Sequence, residues 1–553
     1  MPFRPSVALR PIPLLGALLA FGCGEGALRT SGAVSPVDAA LERAPERVSQ
    51  PAPAPNTTHP GKAHQAADEL ADGGSTLDEG TSTDPDAEPA AMDAGPTVDD
   101  AVAIDATPPP EPDAAPLPAR PRGFLRPMPD TNDRIHVFYD QLDAHLSDAQ
   151  VAFVAAHADG TQKMTRNITD RIRARAPAFL VLQYRLAFGL SDQANIVDEN
   201  LWGADTLDPN DSAAAGDGRR ADERFYLHAG PDQTRVLHTD GYFLADPRNA
   251  EWSRWEIDTL LSRMPTNDFD GAFLDTAHLR FDGFTPWDWF TDFCSPTLER
   301  LGNCWNPPTA DHFRALTARF HAGERSYYAI GNFGPLVNEW DLNDALGELD
   351  GGAIEKFMYL DGVPNERDWH ITAERLTRLI GDDKVLLAEP TDFPGDDPQV
   401  RRWLMANFLL FRGHKSFVSF YPSGAGMVDA PVWLPEFELD LGAPTTPVPA
   451  AIGRLCTANV EPGTCGGTYM RVFARGVVVV NPGDTPRHQN LPPLVAGLRY
   501  AEAQGSGGGL VDANGHKAAQ RLDFIPLDGL AVDLGPHDAR VLVRIGEDGQ
   551  PVR

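Results

Sequence analysis

The sequence predicts an α/β protein: a (β/α)8 TIM barrel with a C-terminal antiparallel β-sandwich and a disordered N-terminal stalk. Three observations carry this expectation. Short apolar runs alternate with amphipathic, helix-like stretches from Arg134 to about residue 425. Beyond Leu455 the runs are β-rich and no helical pattern separates them. Before residue 122 the chain is rich in Ala, Pro, Asp, Thr and Gly and carries few large apolar side chains. The expected division is a leader over 1–22, a stalk over 23–121, the barrel over 122–454 and the sandwich over 455–553.

The leader comes first. Arg4 and Arg10 give a positive start, Ile12 to Phe21 is apolar, and small residues precede Cys23, the pattern of an export signal. The run Leu19-Ala20-Phe21-Gly22-Cys23 resembles the lipobox of bacterial lipoproteins. That resemblance implies a lipid on Cys23, which would then be the mature N-terminus. The implied location is the bacterial cell envelope, anchored and facing outside the cytoplasm, or the secreted fraction. Of five cysteines, four remain after Cys23, in two close pairs. In an oxidising compartment Cys294 is expected to pair with Cys304 and Cys456 with Cys465. The Cys-x-x-Cys spacing of a zinc site is absent.

The stalk has no Phe, Tyr or Trp between Gly24 and Gly123, so it cannot bury enough apolar surface to offset the entropy of ordering. Its Pro content and acidic self-repulsion favour an extended tether. The whole chain has 47 Lys and Arg against 79 Asp and Glu, a formal net charge of −32. Such a balance argues against a nucleic-acid binder, whose affinity comes from neutralising phosphates, and against a polybasic membrane-surface protein. No apolar run reaches the roughly 20 residues of a spanning helix.

The barrel strands are expected at Phe153–His157, Phe179–Tyr184, Phe225–His228, Gly271–Asp275, Tyr327–Asn332, Gly352–Phe357, Val385–Glu389 and Phe417–Tyr421. Ile135–Leu142 reads as an extra strand before them. Helices are expected around Trp252–Met264, Phe313–Phe320, Ala373–Ile380 and Val400–Phe411. An open doubly wound sheet is the alternative, weakened by the lack of Gly-x-Gly-x-x-Gly after the first strand. The sandwich strands are expected at Tyr469–Phe473, Gly476–Val480, Leu522–Pro526, Leu530–Leu534 and Ala539–Val543, with a turn at Asn481-Pro482-Gly483-Asp484.

In such a barrel the polar residues at the C-terminal ends of the strands form the site. Those ends carry His157 and Asp159, then Gln183, Tyr184 and Arg185, then His228, Asp275, Asn332, Glu355 and Glu389, with the eighth ending near Tyr421. Asp275 closes an apolar strand, and Glu355 sits inside one, where an ionised carboxylate is costly unless it is hydrogen-bonded or used. Hydrolysis of a glycosidic bond needs two carboxyl groups, one ionised and one protonated. Asp275 and Glu355 are the expected catalytic pair, with Glu389 the competitor for the second place. His157, Asp159, Gln183, Tyr184, Arg185, Tyr242, Asn332 and Glu389 are the expected substrate-binding residues. Trp202, Trp287, Trp289, Trp305 and Trp340 lie in or beside strand-to-helix connections, where flat rings suit the apolar face of a sugar.

The run Phe269-Asp270-Gly271-Ala272-Phe273-Leu274-Asp275, preceded by His238 to Pro247, resembles a group of barrel proteins labelled glycosidase-like family fifteen. These are distant relatives of endo-α-1,4-polygalactosaminidase and of the α-galactosidase clan. The resemblance covers roughly residues 134 to 425. In the α-galactosidase clan the nucleophile follows strand four and the acid/base follows strand six. The resemblance therefore implies Asp275 as nucleophile and Glu355 as acid/base, where the clan itself carries an aspartate.

The expected function is hydrolysis of O-glycosidic bonds in an extracellular poly- or oligosaccharide. No cofactor, no metal and no nucleic-acid partner are expected, and the chain is expected to be a monomer held at a membrane through Cys23. Two other readings compete. A carbohydrate-binding lipoprotein would keep the aromatics without needing both carboxylates. A metal-dependent barrel hydrolase would use His157, Asp159, His228, His278 and Asp275, though no tight His-x-His pair is present.

Overall fold

A computed structural model describes residues 123–142, 145–164, 166–190, 222–229, 234–236, 243–277, 298–336, 347–424, 430–449, 451–461 and 464–552. Its centre is an eight-stranded parallel sheet formed by β1 (Phe138–Tyr139), β2 (Gly160–Gln162), β3 (Leu180–Leu186), β4 (Gly271–Asp275), β5 (Tyr328–Asn332), β6 (Gly351–Glu355), β7 (Val385–Glu389) and β8 (Ser416–Val418). Each strand pairs with its neighbours in chain order, and a parallel bridge from Val137 to Val418 joins the last strand to the first. The sheet is thus a closed (β/α)8 barrel.

The helices form where caps and patterns direct them. α1 (Asp148–His157) starts from Ser147, whose hydroxyl accepts from Gln150 while the Gln150 side chain accepts from the Ser147 amide. α2 is Arg166–Arg173. α3 (Ala250–Asn267) is capped by Asn249, which accepts from the amides of Glu251 and Trp252. α4 is Leu298–His321. Asn365 caps α5 (Glu366–Gly381), and Asp397 with Pro398 opens α6 (Pro398–Leu410). Among the described residues no helix is long and apolar enough to cross a membrane.

Alternation along each strand sorts the side chains into two layers. Phe138, Leu180, Leu182, Phe273, Ile330, Ala353, Leu387 and Phe417 fill the barrel, while Val181, Ala272, Leu274, Ile354 and Leu386 pack outward under the helices. The strands approach closely where side chains vanish: a Cβ on Gly271 would stand 2.2 Å from the carbonyl of Tyr328.

The floor of the barrel, at the N-terminal ends of the strands, is sealed by residues 123–131. Gly123 and Phe124 pair with Arg325 and Ser326, and the Phe124 ring stacks 3.8 Å from that of Tyr328. The amide of Met128 donates to the Tyr328 hydroxyl at 2.8 Å. Around this plug Arg126, Arg173 and Arg325 converge on Asp268 and Asp270, which precede β4.

Two of the expected barrel strands are replaced. Phe153–His157 lies in α1: its apolar residues are one face of a helix begun by the Ser147 cap. Residues 225–228 span the end of a 3-10 turn and the start of a short antiparallel ribbon, His228–Ala229 with Thr234–Arg235, outside the barrel. The segment expected before the barrel supplies β1, and β2 is the short, largely polar Gly-Thr-Gln. Two strands wrongly counted and two omitted leave the strands of Asp275 and Glu355 as the fourth and sixth.

After the barrel the chain forms a five-stranded antiparallel sheet in the order β9 (Tyr469–Phe473), β10 (Gly476–Asn481), β15 (Asp538–Ile545), β12 (Arg499–Gly507), β13 (Gln520–Pro526). A second pair, β11 (Arg487–Asn490) with β14 (Ala531–Leu534), covers one face. Val477, Val479 and Leu542 meet Leu491, Val532 and Leu534 in that sandwich core. On the other face Val478, Val480, Val541 and Val543 join the core that holds α6, so β10 is apolar on both sides. Arg471 on β9 donates through Nη1 to the carbonyls of Leu410 at 3.0 Å and Arg412 at 2.5 Å, closing the C-terminus of α6. Cys456 and Cys465 are disulfide-bonded, with Cα atoms 5.7 Å apart. Cys23 and Cys294 lie outside the described residues, as does the side chain of Cys304.

Candidate active site

The inward positions that hold apolar side chains at the floor and middle of the barrel turn polar at its mouth. At the C-terminal ends stand Gln162 on β2, Tyr184 on β3, Asp275 on β4, Asn332 on β5, Glu355 on β6 and Glu389 on β7. Asp140 follows β1, Lys163 follows β2 and Tyr421 follows β8. Lys163, Thr276 and Lys356, the residues directly after β2, β4 and β6, all have φ of 53°. A left-handed backbone at a non-glycine residue costs roughly 1–3 kcal/mol and gathers at functional sites.

Asp275 is at the centre. Its Oδ2 accepts from the Tyr184 hydroxyl at 2.5 Å, and its Oδ1 accepts from the Asn332 amide at 2.7 Å and from the Thr276 backbone N–H at 2.8 Å. Three donors on one carboxylate set it as an acceptor. Asn332 also hydrogen-bonds Glu355, so one amide side chain spans both carboxyl groups. Glu355 has its pKa raised to about 7, first by burial and then by the charges of Asp275 and Asp140, with Lys163 and Asn332 opposing. Glu389 is 1% exposed, and neither of its oxygens has a hydrogen-bond partner. Burial, then the charges of Asp140, Glu355 and Asp275, push its carboxyl well above the usual range, with Lys163 opposing.

A buried pair supports this row from the side of β1 and β2. The Lys163 ammonium stands 3.0 and 3.1 Å from the two oxygens of Asp140, and the Gln162 amide donates to the same carboxylate. The Tyr421 hydroxyl accepts from the Asp140 backbone N–H at 2.7 Å. Asp140 and Lys163 are absent from the sequence-based site. The signal for Asp140 was present: Ile-His-Val-Phe-Tyr-Asp closes an apolar strand with an aspartate just as Ala-Phe-Leu-Asp275 does.

The mouth brings together Tyr184, Asp275, Asn332, Glu355 and Glu389 from the sequence-based set. It does not bring in four others. His157 ends α1, with its Nδ1 2.8 Å from the carbonyl of Phe153 and its ring between Phe153 and Trp433. Asp159 precedes β2 at the floor, where it meets His136 at 3.0 Å. Gln183 and Arg185 alternate with Tyr184 and therefore face the helices. Arg185 makes two 2.6 Å bonds to the buried Glu256 of α3, and Gln183 is wholly buried on the same side. Tyr242, Trp202, Trp287, Trp289 and Trp340 lie outside the described residues, as does the side chain of Trp305.

The metal reading does not gather either. His157 is packed on Trp433, His228 bonds Glu223 at 2.9 Å in the short ribbon, and His278 lies outside the described residues. Among the described residues no three His, Cys, Asp or Glu side chains are placed to hold a metal ion.

The model of a family described as hypothetical glycosyl hydrolase family 15 matches residues 173–477, more than half of the chain. No curated protein matches the sequence at a significant level. Among solved structures, a cycloisomaltooligosaccharide glucanotransferase of a Paenibacillus species aligns with 76% of this chain and 56% of its own, at 9% identity and a TM-score of 0.32. This chain thus spans little more than half of that enzyme's length. The PgaB (BpsB) glycoside hydrolase domain of Bordetella bronchiseptica aligns with 52% of this chain and 94% of its own, at 11% identity and 0.33. Alpha-galactosidase I of Mortierella vinacea aligns with 76% and 99%, at 8% identity and 0.34.

Proposed function

The chain belongs to hypothetical glycosyl hydrolase family 15, and from that premise we propose that it hydrolyses O-glycosidic bonds of an extracellular poly- or oligosaccharide, with Asp275 and Glu355 as the working carboxyl pair. The observation that carries the proposal is their difference in environment. Asp275 accepts three hydrogen bonds, while Glu355 has its pKa raised to about 7, by burial first and then by Asp275. Glu355 donates its proton to the leaving oxygen as the C–O bond breaks. Asp275 supports the positive charge that develops at the anomeric carbon, either by attacking that carbon or by deprotonating the incoming water. Asn332, bonded to both, holds their separation, and Tyr184, bonded to Asp275, borders the space that the sugar occupies.

The proposal includes export. The positive start, the apolar run and Cys23 support a lipoprotein of the bacterial envelope whose barrel is presented to extracellular glycans.

The test is reducing-end release from a panel of α- and β-linked polysaccharides, using the full chain, Asp275→Asn and Glu355→Gln. Release by the parent and its loss in both folded variants is the expected result. Release that survives both substitutions removes these residues from the mechanism. Binding without release by the parent identifies a non-catalytic carbohydrate binder.

A further inference from the structure

Lys163 stands where one positive charge reaches several carboxyl groups. Its ammonium is fixed on both oxygens of Asp140 and lies 4.8 Å from the centroid of the Tyr184 ring. That ring carries the hydroxyl bonded to Asp275. The next residue towards the floor, Phe273, has its ring 5.6 Å from the same ammonium. Lys163 is buried and held by a left-handed backbone directly after β2. Burial lowers its pKa, but the charges of Asp140, Asp275 and Glu355 outweigh that and raise it, so it stays a cation.

We propose that Lys163, held on Asp140, is the positioning residue that sorts charge among the four carboxyl groups of the mouth, keeping Asp275 an acceptor and leaving a proton for Glu355. The inference rests on the reading of Asp275 and Glu355 as the reacting pair. The groups in play come from every strand end that meets there. Asp140 lies after β1, Tyr184 on β3, Asp275 on β4, Glu389 on β7, and Tyr421, which senses Asp140 and Glu389, after β8. Lys356, beside Glu355, instead approaches Asp392 at 4.0 Å. Without Lys163 the four carboxyl groups would face one another with no buried cation from the described residues among them. Repulsion would then put protons on more than one, and the division between acceptor and acid would blur.

The experiment reads protonation without needing the sugar. The full chain is treated with a water-soluble carbodiimide and glycine methyl ester, which couple to protonated carboxyl groups. Labelling of Glu355 is followed by peptide mass mapping across pH, relative to the exposed Glu547. The parent should lose labelling with a half-point near pH 7. Lys163→Gln, which keeps a donor for Asp140 but no charge, should move that half-point up by about one pH unit. Lys163→Arg should restore it. Asp140→Asn removes a negative charge and should move it down in folded protein; unfolding also lowers it, towards 4.5, whereas the upward shift in Lys163→Gln is a sign that unfolding does not produce.

A half-point unmoved in folded Lys163→Gln overturns the proposal. So does an upward shift in Asp140→Asn, which keeps the test decisive where the Gln variant does not fold. The two readings separate cleanly. The expected shifts with no polysaccharide cut by the parent leave the charge sorting standing and remove the glycosidase reading. Cleavage by the parent with no shift does the reverse.

Discussion

Tyr184 donates its phenolic proton to Oδ2 of Asp275 across 2.5 Å. The strand pairing makes this contact possible. β3 and β4 run parallel with Tyr184 opposite Phe273 and Leu186 opposite Asp275, so the phenol leans one step along the neighbouring strand. Tyr184→Phe removes one of three donors and little volume. A hydrogen bond to a charged group contributes roughly 1.5–3 kcal/mol, so kcat should fall about 10- to 100-fold. KM should change little if the bond strengthens in the transition state. Steady-state kinetics on a cleaved polysaccharide checks both numbers.

As the proposed acid, Glu355 should set an upper pH limit for activity. Its carboxyl has a pKa raised to about 7, by burial first and by Asp275 and Asp140 next, and an acid catalyst works only while protonated. Raising pH through that value ionises it, so log(kcat/KM) should fall with a slope of −1 above about pH 7. A profile flat from pH 6 to 9 would exclude Glu355 as the acid.

Glu389 makes a prediction about stability. Burial and three neighbouring carboxyl groups push its folded pKa well above the ordinary value of 4.5. The unfolded chain therefore ionises first as pH rises. Between the two values the folded state binds more protons, and stability falls with increasing pH. Glu389→Gln cannot ionise and escapes this loss. It should be more stable than the parent at pH 7 by about 1–3 kcal/mol, with the advantage vanishing below about pH 4. Urea unfolding at pH 4 and pH 7 measures the difference.

The Cys456–Cys465 bridge closes a separation of nine residues beside β9. Replacing both cysteines by serine should lower unfolding stability by about 2–3 kcal/mol. Activity should be unchanged, because Cys456 pairs with Tyr469, which in turn meets Trp369 and His370 on α5 rather than the barrel mouth. A thermal melt with a parallel rate assay is sufficient.

The barrel was legible because its longer strands are apolar on both faces and end in polar residues. Gly271–Asp275, Val385–Glu389 and Tyr328–Asn332 all show that pattern. Where the pattern failed, the reason is local. Phe153–His157 looks like a strand when read as five residues, but Ser147 and Gln150 form a capping box that starts a helix. Gly160–Gln162 is too short and polar to register as a strand. Arg499–Gly507, the longest strand of the C-terminal sheet, has Ala, Gln, Gly and Ser in place of β-branched residues. The site was legible through the same strand ends, yet facing was not. Gln183, Tyr184 and Arg185 are consecutive, and only the pleat puts the middle one inside the barrel and its neighbours outside, Arg185 against α3. Lys163 escaped notice because no apolar run leads into it.

The plug formed by Phe124 and Met128 seals the end of the barrel opposite the strand ends that carry Asp275 and Glu355. The polypeptide leading up to Gly123 therefore joins at the closed end. A tag or fusion joined at Gly123 would thus enter the fold beside Phe124 and Met128 rather than beside Asp275.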